Sequence, residues 1–209
     1  MDERGGEPEP GGGSRPARLD LDRLRNHDPV AVEDHDSRRE AAVLIPVVER
    51  PEGHALVVVR RADHLGEHAG EMAFPGGGRE PTDVDLHGTA LREAGEEVGL
   101  RPVEATVLGR LDDIRTVSAY VVRPFVATVP DRTYEPDDRE VVEVVTLPVS
   151  ALTDPENYDR ERRDHPDRGE VTLHYFRVDG YTVWGATGRL LAQLLAVGAD
   201  WQPPPDRDD

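Results

Sequence analysis

The chain has 209 residues, of which 43 are acidic and 25 are basic, and its formal net charge is −18. A length of this order fits one domain with flanking tails, and the absence of cysteine excludes disulfides, zinc–thiolate sites and thiol catalysis. The acidity argues against a nucleic-acid partner, because a phosphate backbone requires a basic face, and an anionic substrate would need local cations.

The first part of the chain contains a tail, a short helix and a hairpin. Residues 1–17 are rich in Gly, Pro, Glu and Arg and lack apolar periodicity, which predicts a disordered tail. Residues 19–25 have the pattern of a short amphipathic helix. Two apolar runs, 41–48 and 55–59, flank a turn signal at 51–53 and together predict a hairpin.

A short strand at 71–74 is expected to lead into a break at 75–78, and a longer helix follows. From Asp85 to Val98, apolar residues recur at every fourth position and therefore share one helix face. These residues are Leu86, Ala90, Ala94 and Val98. Asp85 is the predicted N-cap, and Gly99 is the glycine expected directly after the last turn.

The rest of the chain predicts mainly strands. Strands are expected at 106–111, 119–129 and 141–147, a hairpin at 171–184 that turns at Asp179-Gly180, and a final amphipathic helix at 185–197. Strands outnumber helices and do not alternate regularly with them, which predicts the α+β class with a mixed sheet. The domain is predicted to span 18–200, with a second disordered tail at 201–209.

Three glutamates in the longer helix suggest a metal site. Glu93, Glu96 and Glu97 stand at i, i+3 and i+4 and share one helix face. Like charges at this spacing destabilise a helix unless a cation offsets them, and clustered carboxylate oxygens suit Mg²⁺ or Mn²⁺. Arg92 lies one turn from Glu96 and is placed to orient a carboxylate. Taken alone, the run is equally compatible with a solvated acidic helix face.

The same segment resembles the Nudix box. That pattern is Gly, five residues, Glu, seven residues, then Arg-Glu, an aliphatic residue, any residue, Glu-Glu, any residue, Gly and an aliphatic residue. Its second half matches residues 92–100. In the first half Gly78 is in place, but Val84 stands where the pattern has Glu. A one-residue insertion would use Gly77 and Asp83 instead, a departure that resembles the coenzyme A-directed branch of the family.

A second resemblance covers the residues just before the box. Residues 61–77 are similar to the signature of coenzyme A pyrophosphatases, which ends in Phe-Pro-Gly-Gly. Gly66 stands where that signature has Arg. Arg60, Arg61 and Arg79 are the candidates to supply a cation in its place.

The resemblance extends over about 19–197 and implies a fold, a reaction and a set of site residues. The implied fold is an α/β/α sandwich around a central mixed sheet, with the box as a loop–helix–loop catalytic motif. The implied reaction hydrolyses coenzyme A to 4′-phosphopantetheine and adenosine 3′,5′-bisphosphate with Mg²⁺ or Mn²⁺ as cofactor. The implied metal ligands are Glu93, Glu97 and Glu96; the catalytic candidates are Glu96, Arg92 and either Glu140 or Glu143; the implied substrate contacts are Arg61, His68, Phe74, Gly76 and Gly77.

Several alternatives stay open at this point. The same reaction could act on ADP-ribose, a dinucleoside polyphosphate or a nucleoside triphosphate. A Nudix fold can also sense nucleotides without catalysis, although such proteins typically lose box glutamates that are kept here. The run from His64 to His68 fits the His-x-x-Glu-His pattern of zinc proteases, although Gly66 does not suit the helix that this pattern requires. His68 itself either contacts substrate or holds its loop by a hydrogen bond.

The sequence also bears on location and partners. No stretch approaches the roughly 18 apolar residues that a membrane helix needs, and the N-terminus lacks a signal-peptide pattern. We therefore expect a cytoplasmic protein with a small-molecule diphosphate substrate and no membrane partner, and the family makes a homodimer plausible. All the basic residues are arginine, and this acidic, lysine-free composition suggests a halophilic protein, whose self-repulsion salt would screen.

Overall fold

In the computed structural model, the described residues are 18–32, 39–63, 70–117, 119–136, 139–165 and 169–204. The predicted tail at 1–17 and residues 205–209 lie outside these ranges, and so does His68. The α-helices are α1 (Leu21–Asn26), α2 (Leu86–Val98), α3 (Val149–Leu152) and α4 (Gly185–Ala199). The strands are β1 (Arg39–Arg50), β2 (Gly53–Arg61), β3 (Met72–Ala73), β4 (Gly76–Gly78), β5 (Thr106–Arg110), β6 (Ile114–Arg115), β7 (Tyr120–Val129), β8 (Val141–Pro148), β9 (Tyr158–His165), β10 (Gly169–Val178) and β11 (Tyr181–Val183).

The larger sheet is mixed. Its main path runs in the order β3-β2-β1-β7-β5, while β4 pairs with β1, β6 with β7 and β8 with β2. The pairing of β1 with β7 is parallel, and the other pairings of this sheet are antiparallel. A second, antiparallel sheet has the order β11-β10-β9. The α+β class with a mixed sheet is therefore confirmed.

Helices cover both faces of the larger sheet. Because successive side chains of a strand point to opposite faces, each inner strand contributes to two separate cores. One core joins alternate residues of β1 and β2 to the buried face of α2: Leu44, Val57, Val59, Leu86, Ala90, Ala94 and Val98. The other joins the intervening residues to α1, α3 and α4: Ile45, Val47, Leu56, Val58, Leu24, Leu152, Leu191 and Leu194.

The predicted break at 75–78 is wrong in part, because Gly76–Gly78 forms the strand β4 and pairs antiparallel with β1. Glycine permits this close pairing. A Cβ atom on Gly76 would lie 2.4 Å from the carbonyl oxygen of Ala42. The structure also contains β9, which the sequence did not predict. Its residues are mostly charged, so no apolar alternation marks it as a strand.

Trp201, the first residue after the predicted domain boundary at 200, packs against the folded domain. The Trp201 ring is buried, and its centroid lies 5.0 Å from that of Tyr158 and 5.7 Å from that of Phe176. The edge-to-face contact with Tyr158 and the tilted contact with Phe176 fasten the end of α4 to the smaller sheet. Among the described residues, no helix is long and apolar enough to cross a membrane.

His54 links the N-terminal segment to the sheet and should make stability depend on pH. The ring is buried, and its Nδ1 accepts a hydrogen bond of 2.9 Å from the backbone N–H of Leu19. Burial lowers the pKa of His54 below its ordinary value of 6.5. The stability that the neutral ring contributes is therefore complete above about pH 6.5 and is lost as the pH falls through the lowered folded-state pKa.

We expect the free energy of unfolding in urea to fall more steeply from pH 7 to pH 5 in the wild type than in His54→Gln. Glutamine does not titrate in this range, and its side-chain oxygen can still accept the bond from Leu19. Other groups that titrate between these pH values contribute equally to both proteins and cancel in the comparison. Identical slopes for the two proteins would show that His54 is not responsible.

Candidate active site

Helix α2 begins and ends where its sequence indicates. The side chain of Asp85 accepts a 2.7 Å hydrogen bond from the backbone N–H of Gly88, as an N-cap residue does. Gly99 follows the helix with φ of 64°, a left-handed conformation that glycine adopts at little cost. Both predicted ends are confirmed. The buried stripe of α2 then places Glu93 and Glu97 against β4, with Glu97 also beside Arg61 at the end of β2.

Glu97 is a buried carboxylate held by the backbone of β4. Its side chain is only 4% exposed, and its Oε2 accepts a 3.0 Å hydrogen bond from the N–H of Gly76. Arg61 Nη1 lies 3.8 Å from Oε1. Burial raises the pKa of Glu97 to about 7, while the Gly76 bond and the charge of Arg61 act in the opposite direction. The negative charges of Glu93 and Glu140 add to the rise.

Glu93 lies one helical turn before Glu97 and against the next residue of β4. A Cβ atom on Gly77 would fall 2.4 Å from Glu93 Oε1, so only glycine fits there without moving the carboxylate. Burial raises the pKa of Glu93, although its contact with Arg92 opposes this effect. The two glycines of the Phe-Pro-Gly-Gly segment thus shape the surroundings of two carboxylates on α2.

Arg92 connects α2 with the loop between β4 and α2. Its Nε and Nη2 donate to the two carboxylate oxygens of Asp83 at 2.9 and 3.1 Å, and Nη2 also donates to the carbonyl of Gly78 at 3.1 Å. The same guanidinium holds the pKa of Asp83 well below its ordinary range. The Asp83 side chain is 5% exposed, whereas Val84 is 91% exposed. Of the two registers that the sequence allows for the first half of the box, this geometry favours Asp83.

Glu96 faces outward and does not join the other two carboxylates. Its side chain is 57% exposed, and its Oε2 accepts a 3.0 Å bond from Arg92 Nη1, which also lies 3.0 Å from Glu93 Oε1. Within the part of the chain that the structure describes, no three His, Asp or Glu side chains converge closely enough to ligate one ion. Of the three glutamates of this helix, Glu93 and Glu97 lie against β4.

The donor set of Glu93 and Glu97 nevertheless fits a hard divalent cation. Both supply carboxylate oxygens, which Mg²⁺ and Mn²⁺ prefer. Glu97 is buried and Glu93 is partly buried, and these surroundings disfavour the charged carboxylate, so each has a raised pKa. A cation beside them would offset that cost by direct attraction. These two side chains are therefore the ones that would hold the metal.

The structure separates Glu140 from Glu143. Glu140 precedes β8, is exposed, and its charge raises the pKa values of both Glu93 and Glu97. Glu143 instead accepts hydrogen bonds from Tyr181 Oη at 2.8 Å and from Arg60 Nε at 3.4 Å.

Sheet geometry explains this difference. Glu143 pairs in register with Arg60, which precedes Arg61 in β2, so Glu143 and Arg60 point to the face opposite the one where Arg61 reaches Glu97. Glu143 therefore lies on the other face of the sheet from Glu97, beside Tyr181 and Arg60.

The residues predicted to contact substrate lie in different parts of the structure. Arg61 lies at the site, and Gly76 and Gly77 line it with backbone. Phe74 is 3% exposed and belongs to the core on the α4 side of the sheet, which leaves its ring little surface for the predicted contact with substrate. His68 lies outside the described residues. The apolar character of Phe74 was the signal that could have identified it as a core residue.

The sequence missed a cavity of about 490 Å³ beside the loop that follows β4. Arg39, Tyr120 and Arg79 line it, together with Gly78 and Asp83. No local pattern marks this group, because Arg39 and Tyr120 become neighbours only through the parallel pairing of β1 with β7.

Comparison with known proteins identifies the family. A sequence model described as "NUDIX domain" matches residues 38–175. The chain is 38% identical over 167 residues to a curated protein described as "Uncharacterized Nudix hydrolase NudL" from Enterobacter sp. (strain 638), covering 78% of this chain and 84% of that protein. A protein of the same description from Cronobacter sakazakii (strain ATCC BAA-894) has the same identity and coverage. Among solved structures, a Nudix hydrolase from M. smegmatis, RenU, is 21% identical with a TM-score of 0.47, covering 55% of this chain and 73% of that chain.

The family match includes α2 with its glutamates and the strand packed against them, and it extends over more than half of the chain. The curated relatives align over most of their own length as well. The chain therefore belongs to the Nudix hydrolase family, enzymes that hydrolyse diphosphate linkages in small molecules with the help of divalent metal ions.

Proposed function

We propose that this Nudix hydrolase acts on coenzyme A or its derivatives and releases 4′-phosphopantetheine and adenosine 3′,5′-bisphosphate. The observation that supports the proposal is the position of the two ends of the segment 61–77, which resembles the signature of coenzyme A pyrophosphatases. Its first residue, Arg61, lies beside Glu97, and its last two, Gly76 and Gly77, lie against Glu97 and Glu93. The described ends of the segment that distinguishes this branch thus adjoin the two glutamates.

Each side chain has a proposed role. Glu93 and Glu97 are the proposed ligands of Mg²⁺ or Mn²⁺, and the outward-facing Glu96 is not among them. When bound, such an ion neutralises diphosphate oxygens and lowers the pKa of a bound water. Arg92 is a positioning residue, because it contacts both Glu93 and Glu96 while Asp83 holds it in place.

Two further side chains are proposed to act on the substrate and on water. Glu140 is the proposed general base, since its exposed carboxylate lies near enough to affect both buried glutamates. Arg61 is proposed to bind the anionic substrate. Its buried Nε has no hydrogen-bond partner among the described residues, and its Nη1 lies beside Glu97. Binding a diphosphate oxygen would satisfy such an unpaired donor.

Glu140→Gln is expected to lower kcat by about 100-fold, because a positioned general base typically contributes 10² to 10⁴ in rate. Glu143→Gln should retain nearly full kcat, since its carboxylate lies on the opposite face with Tyr181 and Arg60. The two substitutions make the same chemical change three residues apart, so each is the control for the other. Steady-state kinetics with Mg²⁺ measures both. A large loss in Glu143→Gln with little change in Glu140→Gln would reverse the assignment.

The substrate assignment is tested by incubating the purified protein with Mg²⁺ or Mn²⁺ and coenzyme A, ADP-ribose or diadenosine polyphosphates in parallel. Each reaction is run at low and at high salt, because of the net charge of −18, and products are separated by chromatography. We expect adenosine 3′,5′-bisphosphate from coenzyme A at the highest kcat/KM of the set. Preferred cleavage of ADP-ribose or of a dinucleoside polyphosphate would keep the reaction and overturn the substrate.

A further inference from the structure

The cavity beside the active site has the size and position of a ligand subsite. Its volume of about 490 Å³ falls within the range of roughly 300–1,000 Å³ that small-molecule sites occupy. It lies at the starts of β1 and β7 and is bordered by Gly78. Gly78 directly follows Gly77, which lies against Glu93. A substrate cleaved at Glu93 and Glu97 can therefore extend along β4 into this cavity.

The acidic side chains that line the cavity are each near an arginine. Glu40 accepts a 2.8 Å hydrogen bond from Arg79, and Asp83 accepts one of 2.9 Å from Arg92. Glu80 lies 4.0 Å from Arg92. The local carboxylates are thus largely neutralised, so the cavity does not share the strong repulsion for anions that the whole chain would exert.

Arg39 is the cation of this cavity that is available for a ligand. Its guanidinium carbon lies 4.2 Å from the ring centroid of Tyr120, and it makes no side-chain hydrogen bond or ion pair within the described residues. A cation–π contact orients the guanidinium plane but leaves its N–H groups able to bind an anion. An arginine that has no carboxylate partner among the described residues is unexpected in a chain with 43 acidic residues and 25 basic ones.

We propose that this cavity is the subsite for the nucleoside end of the substrate, that Arg39 binds a phosphate monoester carried by that nucleoside, and that Tyr120 positions Arg39. This inference rests on the proposed function, because coenzyme A carries a 3′-phosphate on its ribose in addition to the diphosphate that is cleaved. A phosphate monoester has a charge of about −1.5 to −2 at neutral pH, and guanidinium groups match its oxygens. Arg39 thereby makes the enzyme selective for coenzyme A over dephospho-coenzyme A, which lacks only that phosphate.

Kinetics on the full-length protein with Mg²⁺ tests the selectivity. In Arg39→Gln, kcat/KM for coenzyme A should fall about tenfold, mostly through KM, the effect of losing one charge-assisted contact that is partly open to solvent. For dephospho-coenzyme A it should change by less than about twofold, since that substrate offers Arg39 no phosphate. Tyr120→Leu should show the same selectivity with a smaller loss, and Tyr120→Phe, which keeps the ring, should resemble the wild type. Arg25→Gln, which removes an exposed arginine paired with Asp22 on α1, is the matched control.

A binding measurement separates this inference from the proposed substrate. Metal-free protein is titrated calorimetrically with adenosine 3′,5′-bisphosphate and with adenosine 5′-monophosphate. We expect the bisphosphate to bind more tightly in the wild type and this preference to disappear in Arg39→Gln, with unchanged thermal unfolding of the variant. If that result is obtained but coenzyme A is not cleaved, the subsite stands and the proposed function falls. If coenzyme A is cleaved but Arg39→Gln alters neither preference, the proposed function stands and the subsite is wrong.

Discussion

Glu97→Gln is expected to lower kcat by about a thousandfold, because losing a metal ligand removes several kcal/mol of transition-state stabilisation. The same substitution should stabilise the metal-free protein above pH 7. The folded-state pKa of Glu97 is raised to about 7 from an ordinary value of 4.5. Stability of the metal-free protein therefore falls as the pH rises between these two values, since only the unfolded state then releases the proton. Glutamine keeps an acceptor for the Gly76 N–H without the charge, a gain on the order of 1–3 kcal/mol.

Thermal unfolding in a chelator at pH 5 and pH 8, together with kcat in Mg²⁺, measures both effects. Added Mg²⁺ should raise the melting temperature of the wild type and not that of Glu97→Gln, because a ligand stabilises only the protein that binds it. Glu96→Gln is the control for stability. Because the Glu96 carboxylate is already exposed, this substitution should change the melting temperature of the metal-free protein little. If metal-free Glu97→Gln has a lower melting temperature than the wild type at pH 8, the charge of the buried Glu97 carboxylate does not destabilise the protein.

Gly77→Ala is expected to reduce kcat/KM by about 100-fold while the protein stays folded. The added Cβ would lie 2.4 Å from Glu93 Oε1, so the carboxylate must move. A displacement of about 1 Å at a catalytic group can cost roughly this factor in rate. The fold should tolerate the change, because the atoms that move are the end of a side chain. At Gly76, by contrast, an added Cβ would meet the backbone of Ala42.

Gly88→Ala in α2 is the matched control for Gly77→Ala. Its added Cβ would lie 3.5 Å from Asp85 Oδ1, an ordinary contact. Alanine is also the better helix former by about 1 kcal/mol, so this variant should keep its activity and unfold at a slightly higher temperature. Steady-state kinetics and thermal unfolding of both variants provide the comparison. Wild-type kinetics in Gly77→Ala would mean that the position of Glu93 is not critical.

Local patterns were sufficient where a single element carries the information. The bounds of α2 follow from the cap at Asp85, the glycine at 99 and the apolar residues between them. The hairpin that turns at Asp179-Gly180 is present as β10 and β11. In both cases the hydrogen bonds that define the element join residues close in sequence, so the element can be identified from its turn and cap residues.

The same local approach failed for residues whose role depends on distant parts of the chain. β9 has few apolar residues and becomes a strand only by pairing with β10. Phe74 belongs to a resemblance that implied substrate contact, but the core on the α4 side of the sheet buries it. Trp201 follows α4 in a polar, proline-rich segment, yet the aromatic rings of the smaller sheet hold it in place.

The sequence by itself determined the family and the helix that presents Glu93 and Glu97 on one face. Both the helical period and the family motif lie within a short stretch of chain, so they can be recognised without knowledge of the fold. Only the tertiary structure showed that Glu143 lies beside Arg60 and Tyr181, on the face of the sheet away from Glu97. The register shift at Arg60 and Arg61, where β2 pairs with β8, sets the face to which each side chain points. The tertiary structure also decided that Arg39 meets Tyr120, because the parallel pairing of β1 with β7 makes these two residues neighbours. Strand pairing brings residues together across long stretches of sequence, and no local pattern records which face or partner each side chain acquires.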